Sequence, residues 1–354
     1  MEQKVIRREK WIDVAKVIAI LIVVLNHSGI VIPGVNFWGG MFFVSAFFLL
    51  AGYTYSPKDE TYGSFVKRKA KRLLIPYFVA NFLLLAFAVL RNWLMGTFSV
   101  KDTLWSVVGI FYGRNHLFVD RDWNHNIHFM NLLNSPTWFL IALFLTLICA
   151  EAVYRATQGK NKTIIIVVLA LLIPATWCYY FVPVLLPWSL DTLPCFLLLF
   201  FVGYMLKSVQ WFEVQAEKPM GKRLGTIFLL IIILLVSGLI NGSFNLSVRV
   251  YGRSIILCMI AATTSSILLM YATRFMEKKL PKITDMLSRM GKYTLTILCY
   301  HYFIGQMIVA VTMLVIPQIY DRVVFRYVIA GVAPVVSVVA CILADIVVKK
   351  CTRR

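Results

Sequence analysis

Four sets of polar residues stand out in a chain this apolar. The first apolar run holds Asp13, Lys16, Asn26 and His27. Ionisable groups at membrane depth are costly, so each is a functional candidate by default. Asp13 and His27 are fourteen residues apart, roughly 21 Å of helix, too far for a direct pair. Fourteen steps of about 100° nearly close four turns, so the two share a face, and a polar stripe can line a path along the run. His301 sits within Leu298-Cys299-Tyr300-His301-Tyr302. It is a candidate to bind an acceptor or a donor, or to bond to Tyr300 or a backbone carbonyl. Lys67-Arg68-Lys69-Ala70-Lys71-Arg72 packs five cations into six positions just before Pro76-Tyr77. Cations at a helix entrance suit phosphates. Arg68 and Arg72, at i and i+4, share a face that can hold a nucleotide-bearing donor. The plain alternative is an ordinary basic flank. The fourth set is His116, Asp120, Asp122, His125 and His128 in the polar, aromatic segment 96–135. His125 and His128 have i, i+3 spacing, yet nothing fixes a tetrahedral set, so no metal site is implied. A solvated loop or contact with a polar acceptor accounts for them. Trp123, Phe129 and Trp138 offer stacking faces for a sugar.

The elements that must position these residues are membrane helices. Of the 354 residues, 60% are hydrophobic and 15% charged, whereas a soluble domain carries about a quarter charged residues. The mean hydropathy of +0.78 agrees. The expected fold class is all-α, a polytopic membrane bundle of about ten transmembrane helices forming a single domain over 1–354. A span needs roughly 20 mostly apolar residues, and ten runs qualify: 12–31, 36–55, 73–95, 136–156, 163–182, 188–207, 225–241, 250–274, 294–317 and 324–348. The second is the weakest, because Gly39, Gly40, Ser45 and Gly52 interrupt it. So many small residues point to close packing on a neighbour or to re-entry. The first run reads as a retained helix rather than a cleaved leader.

Charge sets the expected orientation. With the N-terminus in the cytoplasm, 27 of the 36 Lys and Arg fall on that side, and the alternation holds at every loop. Both termini are therefore expected to be cytoplasmic. The net charge of +20 is then a consequence of topology and of anionic lipid, each basic residue near the surface contributing ~1 kcal/mol, and not a sign of nucleic acid. The seven cysteines include no CxxC pair, which suits buried free thiols rather than disulfides or zinc. Asp191, Arg249, Arg253, Asp321 and Arg322 lie near outer helix ends, and Glu151 and Asp345 near inner ends, where interfacial pairing explains most of them.

These residues resemble a known family. Trp11-Ile12-Asp13-Val14-Ala15-Lys16 followed by Leu25-Asn26-His27-Ser28 is similar to the opening of the membrane acyltransferase-3 family. Phe42-Phe43-Val44-Ser45 through Ala51-Gly52-Tyr53 resembles its next segment, with Ala51 where Ser is commoner. Lys67 to Tyr77 resembles its basic segment, Thr137-Trp138-Phe139-Leu140 its Trp-Phe-Leu helix start, and Phe200-Phe201-Val202-Gly203-Tyr204 and Tyr300-His301 later features. The ordered set covers the whole chain. The nearest branch resembles the stand-alone bacterial fucose and polysaccharide O-acetyltransferases.

The resemblance implies a multi-pass protein of the bacterial inner (plasma) membrane. It would move an acetyl or other short acyl group from cytoplasmic acyl-CoA, a donor substrate rather than a cofactor, to a hydroxyl of an extracytoplasmic or lipid-linked sugar. Arg68, Lys71 and Arg72 would hold CoA phosphates. His27 would take the proton of the attacking hydroxyl or carry the acyl group itself. Asp13 would orient the donor or a nearby basic residue, and Trp138, His125, His128 and His301 would contact the acceptor. Implied partners are acyl-CoA, a sugar or polysaccharide acceptor, membrane lipid and other members of a polysaccharide synthesis system. Two other classes stay open: a glycan or lipid-linked-sugar flippase, which fits broken helices and mid-membrane polar residues, and a non-catalytic subunit of a polysaccharide export system. Flux without acyl-CoA would mark the first. For the second, the mark would be normal polymer in a His27→Ala strain.

Overall fold

The computed structural model describes residues 9–28, 31–114, 117, 136–316 and 323–352. Among them there is no strand, and the chain runs through fourteen α-helices: α1 (Lys10–Asn26), α2 (Pro33–Phe42), α3 (Ser45–Tyr53), α4 (Tyr62–Leu94), α5 (Val100–Tyr112), α6 (Trp138–Ala156), α7 (Asn161–Phe181), α8 (Leu193–Ser208), α9 (Trp211–Glu217), α10 (Met220–Asn241), α11 (Ile255–Lys279), α12 (Pro281–Met290), α13 (Thr294–Val315) and α14 (Val323–Thr352). Among the described residues, eight segments are long and apolar enough to cross a bilayer: α2–α3 together, α4, α6, α7, α8 with the turn before it, α10, α11 and the Gly331–Lys350 part of α14. Each of the ten apolar runs in the sequence corresponds to a helix; α1, of 17 residues, and α13 stand outside that set of eight. A polytopic all-α membrane fold follows, because in hydrocarbon every backbone polar group must be satisfied within its own segment.

The chain divides into two compact units, Met1–Phe47 with Thr264–Arg354, and Phe48–Thr263. In the first, the weak second run is a broken span. Residues 43 and 44 form a turn between α2 and α3. Around that break the Met41 carbonyl accepts from the hydroxyls of Ser45 (2.7 Å) and Ser265 (3.1 Å), and Ser45 Oγ meets Ser266 Oγ at 3.1 Å. Hydroxyl groups thus satisfy backbone that a turn at membrane depth exposes. Gly39 lies against Ile22 of α1, where a Cβ would come within 2.8 Å of the isoleucine side chain.

In the second unit, α3 and α8 cross backbone to backbone. A Cβ on Gly52 would fall 1.7 Å from the Phe200 carbonyl oxygen, and one on Gly203 would fall 1.9 Å from that of Leu49. Only glycine permits such an approach, the packing mode that small residues provide where lipid removes the hydrophobic drive. Phe48 stacks on Phe196 at 4.0 Å and meets Phe139 edge-on at 5.2 Å beside this crossing. The 33 residues of α4 span about 50 Å, well beyond the roughly 30 Å hydrocarbon core, so its basic first turns extend past the apolar layer. Tyr77 and Asn81 tie α4 to its neighbours: Tyr77 donates to the Ile110 carbonyl (2.7 Å), and Asn81 Nδ2 donates to Thr137 Oγ1 (3.0 Å).

Helix α5 lies where the sequence suggested only a loop within 96–135. Thirteen residues are too few to span, so counting apolar runs by length passes over them. The local signals are the Ser99 cap, whose hydroxyl accepts from the Asp102 N–H (3.3 Å), and Gly113, which ends the helix at φ 73°.

Candidate functional site

The polar cluster at the end of α1 has a backbone explanation for two of its members. A helix terminus leaves carbonyls without intrahelical partners. Asn26 Nδ2 donates to the Ile22 carbonyl (2.9 Å) and Ser28 Oγ to that of Leu25 (2.7 Å). Asn36, at the start of α2, bridges the same corner: its Nδ2 donates to Asn26 Oδ1 (2.9 Å) and its Oδ1 accepts from the Ile32 N–H (2.7 Å). His27 is the capping residue itself, its N–H directed back to Val23 and Val24. Asn26, Ser28 and Asn36 hold the corner rigid, and the imidazole of His27 does something else.

That imidazole meets a second one. His27 Nδ1 lies 3.1 Å from His301 Nε2, with the ring planes 22° apart, and Tyr302 packs edge-on against His27 at 5.3 Å. His301 is 2% exposed on α13, and its Nδ1 lies 2.6 Å from the Ile297 carbonyl oxygen one turn back. A carbonyl can only accept, so His301 Nδ1 carries a proton. Two charged imidazoles at this separation would repel, which favours a neutral pair. The tautomers then follow from the partners. His301 Nε2 accepts, His27 Nδ1–H donates, and the lone pair of His27 resides on Nε2. Chemically this is a base whose proton-accepting atom is fixed by the partner on its other nitrogen.

The other sequence candidates occupy separate places. Asp13 is buried near the start of α1, 3.9 Å from Lys16 Nζ, and covered by Gly291, where a Cβ would come within 2.7 Å of the aspartate Cβ. About 21 Å of helix separates it from His27. In the second unit, Arg68 is committed to Glu60 through an ion pair and lies over the Phe65 ring at 5.2 Å. The Arg68 guanidinium holds the Glu60 carboxyl below its ordinary range. Arg155 joins this corner, donating to the Glu60 carbonyl and to Glu151, each at 2.6 Å. Lys71 and Arg72 are exposed. Trp138, 6% exposed, packs beside Phe139 and Phe196 with centroids 6.2 and 6.4 Å away. His125 and His128 lie outside the described residues. Among the described residues, no three His, Cys, Asp or Glu side chains gather as a metal set.

One buried network was not singled out as such in the sequence. Arg114 and Arg249, 1% and 0% exposed, flank Asp191. Asp191 takes an ion pair from each, at 3.0 Å from Arg249. Arg114 also donates to the carbonyls of Leu186 (3.0 Å) and Ser247 (2.6 Å), and Arg249 to that of Val182. Asp191 and Arg249 stood out in the sequence only as interfacial charges, and Arg114 gave no signal. The hydrogen bonds of this network end mostly on backbone carbonyls, which makes it a clasp on irregular backbone rather than a reactive site.

A bundle of apolar helices in which His27, at the end of α1, meets His301 of α13 is a multi-pass membrane protein with two titratable rings in contact. A family model described as an acyltransferase domain matches residues 9–345, nearly the whole chain. The chain belongs to the acyltransferase-3 family and is a membrane acyltransferase. No curated protein and no solved structure matches it.

Proposed function

We propose that this membrane acyltransferase is an O-acyltransferase that moves an acetyl or other short acyl group from cytoplasmic acyl-CoA to a hydroxyl of an extracytoplasmic or lipid-linked sugar. The observation that carries the proposal is the 3.1 Å contact between His27 Nδ1 and His301 Nε2, which supports a reading in which His27 Nδ1 donates and His27 Nε2 is the base. In the reaction proposed, the acceptor hydroxyl oxygen attacks the thioester carbonyl carbon as its proton passes to His27 Nε2. The carbon–sulfur bond then breaks, and the imidazolium returns the proton to the departing thiolate, so acyl ester and free CoA thiol are formed with no net proton change. While His27 is cationic, its Nδ1–H donates to His301 Nε2, and the second ring holds the first in place and shares its charge. A positioned general base is worth about 10²–10⁴ in rate.

Lys71 and Arg72 enter this proposal as contacts for donor phosphates, on charge and exposure, and Arg68 with them on its place in the same run, where a phosphate would have to displace Glu60. Trp138, His125 and His128 enter as acceptor contacts, on residue type and on the family resemblance. His301 changes role: its bond to His27 supports a positioning function in place of acceptor binding. Cytoplasmic termini and a bacterial inner membrane, with partners in a polysaccharide synthesis system, complete the proposal.

The test is transfer of labelled acetyl from acetyl-CoA to candidate glycans by purified protein in lipid nanodiscs. His27→Ala is expected to lower kcat by about 10²–10⁴ with unchanged insertion and elution. Turnover equal to wild type in that variant would remove His27 from the reaction. Glycan flux independent of acyl-CoA would replace the enzyme reading with a transporter.

A further inference from the structure

We propose that a cleft at the start of α1 binds a phosphoryl anion through Lys10, Arg289 and Lys292. The cleft has a volume of about 230 Å³ and is lined by Lys10, Asp285, Ser288, Arg289 and Lys292. Drug-sized ligands occupy about 300–1,000 Å³, so this space suits one compact polar group rather than a whole ligand. Its chemistry is cationic. Lys10 Nζ pairs with Asp285 Oδ1 at 2.6 Å, which neutralises the carboxylate of the cleft. Arg289 and Lys292 are both exposed, and neither has a carboxylate partner among the described residues, so two positive charges remain to face an incoming ligand. Ser288 spends its hydroxyl proton on the Asp285 carbonyl (3.1 Å).

Convergence of distant segments separates this site from an ordinary basic flank. The three cations come from the first residue of α1, the last turn of α12 and the turn that follows it, elements 275 residues apart in the Lys10–Asp285 bond alone. They are held together by specific contacts: the Lys10 N–H donates to Glu277 (3.1 Å), Arg274 lies over Trp11 at 5.2 Å, and Gly291 sits against Asp13. Guanidinium and ammonium groups converging on one space make charge-assisted hydrogen bonds to phosphate oxygens. The basic run of α4 differs, because Glu60 already takes Arg68. The cleft and the imidazole pair occupy opposite ends of α1, about 25 Å apart. Two sources can supply the anion: the phosphates of a nucleotide-bearing donor, or the headgroup of an anionic lipid at the membrane surface.

Binding separates the sources, and because the readout is not turnover it is independent of the role given to His27. In one arm, adenosine 3′,5′-bisphosphate is titrated into protein held in phosphatidylcholine nanodiscs. In the other, native mass spectrometry counts phosphatidylglycerol retained by the protein. Arg289→Gln with Lys292→Gln is expected to weaken one of the two about tenfold or more, and the arm that changes names the source. Lys278→Gln with Lys279→Gln removes the same charge from exposed positions outside the cleft and is expected to change neither. Arg289→Lys with Lys292→Arg should retain binding, and a normal unfolding midpoint shows that the variants fold. No change in either arm, or an equal loss in the Lys278 and Lys279 variant, would overturn the proposal.

Discussion

The imidazole pair of the first unit, half-buried at His27 and buried at His301, and the buried Arg114–Asp191–Arg249 cluster of the second are both polar groups among apolar helices, and they are partnered differently. In the cluster, all the guanidinium nitrogens but Arg249 Nε close on Asp191, Thr192 or the carbonyls of Val182, Val184, Leu186 and Ser247. Such a group has little left to exchange and works as a clasp on the backbone. In the pair, the Ile297 carbonyl fixes the proton of His301 Nδ1, and the His27–His301 contact joins two rings that can both gain and lose protons. Buried donors that finish on carbonyls argue for stability. Two titratable rings in hydrogen-bond contact suit proton exchange.

Substitutions at two positions press on that difference. The larger effect belongs to the clasp. Asp191→Ala leaves two buried guanidinium groups facing each other, and breaking a buried pair in this way costs about 3–5 kcal/mol. A large fall in the unfolding midpoint is expected, and a midpoint near wild type would deny the cluster its structural role. The smaller effect belongs to His301. His301→Ala removes the hydrogen bond that orients His27, and a bond of about 1.4 kcal/mol corresponds to tenfold in rate. kcat for acetyl transfer is expected to drop about tenfold with KM little changed. His301→Gln, whose amide oxygen can still accept from His27 Nδ1, is expected to recover part of the loss. A merely structural His301 would show a lower unfolding midpoint in both variants with no such recovery.

The sequence was most informative where physics is local. Long apolar runs announced the membrane helices, and Gly39, Gly40 and Gly52 marked the broken span. That Gly52 lies under a carbonyl of Phe200 was legible only as a preference for small residues. Helices α5 and α12, of 13 and 10 residues, were hidden because neither is long enough to span. His27 and His301 each stood out as ionisable residues in apolar runs, but their union was not readable. They are 274 positions apart, and no pattern along the chain encodes which helix faces which. The same reason hid the convergence of Lys10 with Arg289 and Lys292, which in sequence are three members of a long series of basic residues.

The central claim concerns one proton on one ring, and nitrogen-15 NMR of protein labelled at its five histidines reads it directly. Signals are assigned by His27→Gln and His301→Gln. At neutral pH the account predicts that both rings are neutral and protonated at Nδ1, with an unprotonated Nε2 on His27. A His27 ring bearing its proton on Nε2, or an imidazolium at either position in the resting protein, would contradict it.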